Sequence, residues 1–230
     1  MMKIDLLNCV DGEPGFVRLV KCSGTDLDVV RAARVSYDCD WRTGENEGAD
    51  RRLIRYLLKN RHTSPFEHVN ITFEIKAPIF VFRQWHRHRT WSYNEISARY
   101  TELDEGFYVP VPEHITTQSV DNKQMRTKIQ HPSSFYISGI VQAACKQSVA
   151  DYRVLLEMGA PRELARGVLP LNAYSRMFAT VDLHNFMGFL RLRLHEHSQY
   201  EIRVYAEAMS KLVSEQVPVT MEEFLTLGVN

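Results

Sequence analysis

Fourteen consecutive residues, Arg87 to Tyr100 (RHRTWSYNEISARY), hold three arginines, a histidine, a glutamate, two serines, an asparagine and two tyrosines. Arg83, Gln84 and His86 stand just upstream. No amphipathic helix or strand pattern asks for that mixture, so packing alone does not account for it. Guanidinium forks match the geometry of phosphate and carboxylate, which suits the cluster to an anionic, multiply hydrogen-bonding ligand. Ser97 reads as a donor to that anion rather than as a nucleophile, because no G-x-S-x-G elbow and no His–Asp partner accompany it. A second polar pair, Arg193 and His197, follows an apolar run at a spacing that predicts one helical face; taken alone, an exposed surface pair is its simpler explanation.

The rest of the chain narrows what the ligand is. The glycines never form G-x-G-x-x-G or G-x-x-x-x-G-K-[ST], so any diphosphate must be held by side chains instead of a loop of backbone amides. His62, His68, His86, His88, His195 and His197 include H-x-H spacings, but H-E-x-x-H is absent and arginines flank His88 on both sides. A cationic pocket repels a divalent ion, so a zinc hydrolase is a weak reading. Cys9, Cys22, Cys39 and Cys145 form no C-x-x-C pair, which points to reduced thiols and a cytoplasmic protein. The chain has 230 residues, 44% hydrophobic and 24% charged, with 28 basic residues against 28 acidic. That balance argues against a general nucleic-acid or membrane-surface protein. No apolar run approaches the roughly 20 residues that span a bilayer, and the first residues carry an acid and no long apolar stretch, so no signal peptide is expected. The rival from another class is a nucleic-acid-binding module that uses Arg87–Tyr100, with Trp85, Trp91 and Tyr93 as stacking platforms.

The elements that must position these residues are legible in outline. Residues 3–8 and 16–22 read as paired strands around Gly12, Pro14 and Gly15. Thr25 caps a helix to about Val35, with Leu27, Val30 and Ala33 inward. Residues 38–50 read as a polar loop and 51–60 as a helix. Ser64, Pro65 and Glu67 fit a capping box, but Val69, Ile71, Phe73 and Ile75 then alternate with polar residues, so only one helical turn precedes a half-buried strand. Pro78 opens an apolar helix through His88, with Arg83 and Arg87 on one face, and 89–100 leaves it as an ordered loop. Residues 104–134 form an irregular, partly mobile excursion. Ser134–Met158 is a long helix ended by Gly159; Pro161 starts a short one at its first position; 173–181 is a strand. Asp182 caps a helix with Phe186, Phe189, Leu190 and Leu194 inward, and the last helix runs from about residue 196 or 198 to 215. With no internal repeat, the expectation is one α+β domain over 1–230, its mixed or antiparallel sheet packed by long helices.

Taken whole, R-H-R-x-x-S-x-N-E-x-S-x-R-Y resembles the signature of the flavin-dependent thymidylate synthases at each specified position: Arg87, His88, Arg89, Ser92, Asn94, Glu95, Ser97, Arg99 and Tyr100. The likeness extends to 30–36, 62–68, 77–85, 161–172 and 192–205, and is looser in the first twenty residues, 38–50 and 104–134. The resemblance implies methylation of dUMP to dTMP, with 5,10-methylenetetrahydrofolate as carbon donor and NADPH-reduced FAD as hydride source. It implies a homotetramer with active sites shared between subunits, and no cysteine nucleophile. By the same resemblance Gln84, Trp85, His86, Arg87, Glu95, Ile96, Ser97, Ala98, Arg99 and Arg166 hold dUMP. Arg193 lies against the pyrimidine and favours its ionised form, a catalytic role. Ser64, Arg87, His88, Arg89, Glu95, Asp182, Leu183, His184 and Gly188 fall where the family contacts FAD, and His62 where it contacts folate or flavin. Asp182 and Gly188 depart from the asparagines expected there, and Gly188 has no side chain to offer.

Overall fold

The computed structural model describes residues 2–36 and 46–228. Its frame is a five-stranded sheet in the order β1-β2-β3-β7-β4. The strands are β1 (Lys3–Asp5), β2 (Phe16–Ser23), β3 (Asn70–Pro78), β4 (Ser92–Glu95) and β7 (Tyr174–Asp182). Each neighbouring pair is antiparallel, which resolves the mixed-or-antiparallel expectation. The alternation in β3 sets the register: Ile71, Phe73 and Ile75 face Val181, Ala179 and Met177 of β7, all buried. On the other face Thr72 and Thr180 share a hydroxyl hydrogen bond of 3.0 Å.

Helices cover the apolar face. These are α1 (Asp26–Val35), α2 (Glu47–Lys59), the short α3 (Ile79–Trp85), α6 (Leu183–Arg193), α7 (Tyr200–Ser214) and α8 (Pro218–Thr226). Phe186, Phe189 and Leu190 of α6 and Ile202, Tyr205 and Met209 of α7 are fully buried. The 24-residue α4 (Ser134–Glu157) stands apart, burying only Ser134, Cys145 and Tyr152. The excursion 104–134 carries a two-stranded pair, β5 (Thr116–Gln118) with β6 (Arg126–Gln130). A four-residue α5 (Arg162–Ala165) and a 3-10 turn (Arg166–Val168) follow α4.

Several local expectations shift. Ser92–Glu95 is an edge strand on β7 instead of loop; its polar residues hid it, as polar residues commonly do on sheet edges. Helix α3 ends at Trp85, so Arg83 and Arg87 do not share a helical face. Likewise α6 ends at Arg193, and His197 lies in the turn beyond it. Thr63, not Ser64, precedes the 3-10 turn Ser64–His68, and no capping hydrogen bond forms there. Pro161 sits at the N-cap of α5, one residue before the position expected. Of the loop 38–50, residues 38–45 lie outside the described residues, and 47–50 already belong to α2. The last helix is α8, whose cap comes from far away: Asp26 accepts from the amides of Val219 (2.9 Å) and Thr220 (2.8 Å).

Candidate active site

An aromatic box fixes the turn that carries the cluster. Trp85, fully buried at the end of α3, stacks on Phe189 of α6 with centroids 5.1 Å apart and meets Trp91 edge-on at 6.1 Å. Trp91 in turn lies parallel to Tyr93 at 6.2 Å. The Tyr93 hydroxyl shares its proton between the carbonyls of His88 (2.9 Å) and Trp85 (3.1 Å), the latter also accepting from the His88 amide at 2.9 Å. Burial pushes the Tyr93 pKa upward, so the group remains a donor. The turn 86–91 is therefore held on both sides by packed rings and one hydroxyl.

Against this turn α6 sets Arg193. Its Nε donates to His88 Nε2 at 3.0 Å, and one terminal nitrogen donates to the Gln84 carbonyl at 3.1 Å. To accept, the His88 ring must be neutral with its proton on Nδ1. Burial, with the Arg193 charge adding to it, pushes the His88 pKa down to about 4. Burial also lowers the Arg193 pKa, but a guanidinium stays cationic throughout the physiological range. The result is a half-buried, oriented positive charge whose remaining donors are free to meet an anion.

Behind Gln84 runs a relay that the sequence did not disclose. Gln84 Nε2 donates to Gln199 Oε1 in a short contact, and Gln199 Nε2 donates to Glu201 at 2.8 Å. Glu201 is only 4% exposed and also accepts from Tyr108 (3.2 Å) and Arg126 of β6 (3.3 Å). A carboxylate only accepts, so Glu201 fixes which end of each amide points where. Gln84 is left with Oε1 as its uncommitted polar atom. A glutamate in the first turn of a helix reads as solvated, so only the packing reveals its part.

The other expected residues are placed unevenly. Arg87, Arg89 and Arg99 are exposed and, among the described residues, form no ion pair with a carboxylate. Ser97 turns the chain through its carbonyl, which accepts from the Tyr100 amide at 3.0 Å, while its hydroxyl accepts from the Arg99 amide at 3.4 Å; Ala98 is buried beneath. Glu95 and Ile96 line an open cleft of about 390 Å³ with Arg176. The His86 ring lies edge-on to Tyr93 at 4.8 Å. Arg166 starts the 3-10 turn packed on α4, and no hydrogen bond or ion pair joins it to the cluster among the described residues. His62 and His184 share one cavity, while Ser64 is exposed on the turn next to His62. Both carboxylate oxygens of Asp182 are engaged by Asn185, at 2.9 and 2.6 Å, in capping α6. The Leu183 and Trp85 side chains lie wholly in the core, and a side chain at Gly188 would meet open space.

The rival readings lose their footing on the same geometry. Trp85 is fully buried and Trp91 6% exposed, so neither offers a face on which a base could stack. Among the described residues no three His, Cys, Asp or Glu side chains gather to hold a metal ion. Burial pushes the Cys9 thiol up to about 11, and the Cys22 and Cys145 thiols upward too, so none is an activated nucleophile. Cys39 lies outside the described residues. No described helix is long and apolar enough to cross a membrane.

Comparison with known proteins agrees with this geometry. A family model described as thymidylate synthase complementing protein matches residues 18–219. The flavin-dependent thymidylate synthase of Thermotoga neapolitana is 44% identical over 97% of this chain and 94% of its own length. That of Ehrlichia ruminantium (strain Gardel) is 45% identical over 93% of this chain and 71% of its own. The crystal structure of the UMP/dUMP methylase PolB from Streptomyces cacaoi, bound with 5-Br dUMP, superposes with a TM-score of 0.87 at 38% identity, covering 95% of this chain and 97% of that one.

Proposed function

The chain belongs to the thymidylate synthase complementing protein family, the flavin-dependent thymidylate synthases, and from that premise we infer how its residues carry out the reaction. It is an enzyme that methylates dUMP to dTMP and depends on a flavin. We propose FAD as that flavin, 5,10-methylenetetrahydrofolate as the carbon donor and NADPH as the reductant. A bound flavin supplies the hydride, while the chain's own groups bind, orient and polarise the nucleotide.

The observation that carries the reading is the locked Arg193. C5 of uracil is a poor nucleophile until negative charge develops along the N3–O4 edge of the ring. A fixed cation that needs no reorientation favours that charge as it grows. His88 and the Gln84 carbonyl take two donors of Arg193 and set its plane, leaving the others for the pyrimidine. Gln84, with the backbone around Ser97 and the Arg87 and Arg99 side chains, binds and orients the nucleotide. Trp85 and Ala98 support that binding from the core.

The residues fit an anionic flavin dinucleotide. Arg87 and Arg89 are cations with no carboxylate partner among the described residues, which is what phosphates require where no glycine loop exists. His62, Ser64, Glu95 and His184 stand on the surrounding surfaces. At Asp182, Leu183 and Gly188 any contact with FAD runs through the backbone. Helix α4 exposes Phe135, Tyr136, Ile140 and Val154, with Met158 just past its end, an apolar surface that supports subunit contact in a homotetramer. Subunits meeting there bring Arg166, on the turn packed against α4, toward a neighbour's nucleotide, so the sites are shared. Nucleic acid and membrane play no part in this reading, and the compartment is the cytoplasm.

The deciding experiment is a visible absorption spectrum. A yellow protein that bleaches with NADPH and recovers in air is expected. Colourless protein that FAD cannot reconstitute would overturn the reading.

A further inference from the structure

The β5–β6 hairpin contributes nothing to the nucleotide site directly, yet one of its side chains reaches the relay behind Gln84. A cavity of about 850 Å³ lies between the hairpin and residues 196–203, and Arg126 of β6 bridges its two sides. Nη1 of Arg126 donates to the His114 carbonyl at 3.0 Å, and Nη2 donates to Glu201 at 3.3 Å. The guanidinium rests over the Tyr200 ring at 5.3 Å. These contacts fix its plane, while the hairpin has a cross-strand tie of its own, the Thr117–Thr127 hydroxyl hydrogen bond of 2.6 Å.

What Arg126 meets decides which way the relay runs. Glu201 is 4% exposed, and each side chain bonded to it donates: Tyr108 and Arg126 to Oε1, and Gln199 Nε2 to Oε2. Burial and the Glu201 charge push the Tyr108 pKa upward, so that hydroxyl stays a donor. This set suits the ionised carboxylate, because a protonated one would carry a hydrogen that none of these donors takes. Burial disfavours a charge and a neighbouring cation restores it; among the described residues, the ion pair that Glu201 forms is with Arg126. An ionised Glu201 holds Gln199 with Nε2 toward it, Gln199 Oε1 takes Nε2 of Gln84, and Gln84 Oε1 is left uncommitted. With a proton on Glu201 the same two amides can turn over, and Gln84 would then present a donor.

We propose that Arg126 is a positioning residue that sets the specificity of the nucleotide site: by keeping Glu201 an acceptor, it fixes Gln84 Oε1 as an acceptor for a hydrogen-bond donor of the nucleotide. The inference rests on the binding of dUMP at Gln84. With its phosphate ionised, dUMP carries two such donors, the ring N3–H and the 3′-hydroxyl, and the locked oxygen reads one of them. A site built this way rejects an analogue that lacks the donor, because the amide oxygen is then left unpaired.

Ligand discrimination tests it, since a loss of stability alone would weaken all nucleotides together. Dissociation constants are measured by calorimetry on the flavin-loaded full chain for dUMP, for 2′,3′-dideoxyUMP, which lacks the 3′-hydroxyl, and for dCMP, whose ring N3 accepts instead of donating. Each analogue's penalty is its dissociation constant divided by that of dUMP. Arg126→Met should shrink one penalty by about tenfold, as expected when the oriented acceptor is lost, while Arg126→Lys, which keeps the charge, retains it. A smaller penalty for the dideoxy nucleotide assigns the 3′-hydroxyl, and a smaller one for dCMP assigns N3. Thr117→Val loosens the hairpin without touching Glu201 and should leave both penalties at their wild-type values. Both penalties unchanged in Arg126→Met would overturn the proposal, as would Thr117→Val reproducing the change. Should Arg126→Met fail to fold, Gln199→Leu cuts the relay one link further on and is held to the same outcomes. Failure of the underlying reading shows differently, as dUMP binding that Gln84→Leu does not weaken.

Discussion

His88 is where acid should act on this protein, and the geometry sets how strongly. Its ring accepts from Arg193 in the neutral form, and burial, then Arg193, push its pKa from 6.5 down to about 4. Between those values the unfolded chain holds the proton and the folded one does not, so stability falls as pH drops through that window. The contribution is fully present above about pH 6.5 and exhausted below about pH 4. A drop of that size corresponds to about 3 kcal/mol, and solvent reaching the half-buried ring trims it to about 2 kcal/mol. The perturbation is His88→Gln, whose Oε1 can accept from Arg193 without titrating. Urea unfolding of both proteins is followed from about pH 7 to about pH 4 at one protein and one flavin concentration, since bound ligand and assembly shift apparent stability. The wild-type stability should fall by about 2 kcal/mol more than the variant's across that range. Parallel curves would refute both the neutral ring and its pairing with Arg193. Binding of dUMP should weaken over the same window, because a protonated ring opposes the guanidinium it now steadies.

Three further substitutions probe the site and its frame. Arg193→Ala should lower the turnover number for dTMP by about 10²–10³-fold, the usual cost of losing a preorganised electrostatic group; unchanged turnover would remove Arg193 from its assigned role. Glu201→Gln releases the Gln199 and Gln84 amides from their fixed orientation, so the KM for dUMP should rise about tenfold while kcat holds within a few-fold, and a KM that does not move would show that the relay is only structural. Lys76, 1% exposed, pairs with Glu105 at 3.1 Å, and Glu105 also holds Arg176 at 2.5 Å. Lys76→Met should destabilise by about 3 kcal/mol in urea unfolding, since it strands part of a buried charge. Adding Glu105→Leu should recover some of that loss, and strict additivity of the two changes would argue against the pairing.

Much of this was open to inspection in the amino-acid order. Short-range periodicity is a local property, and it located α1, β2, β3, α4, β7 and α6 close to where they lie. The Arg87–Tyr100 cluster suggested an anionic ligand by composition and identified a family by its spacing. Hidden elements were those whose reason for existing is elsewhere in the chain. Strand β4 is polar, and becomes a strand because the edge of β7 accepts it. Helix α8 is capped by a carboxylate 193 residues before it.

The sequence by itself determined the kinds of group available, the lack of a glycine-rich phosphate motif, and the family. Tertiary structure alone decided which groups meet. Arg193 and His88 are 105 residues apart, and neither residue type tells which donor faces which ring nitrogen. Burial, likewise a property of the assembled core, makes His88 a neutral acceptor, Glu201 a fixed carboxylate and Trp85 a foundation instead of a stacking surface. Protonation state and amide orientation follow from local dielectric and from partners supplied by distant elements, so they come into being only when the chain folds.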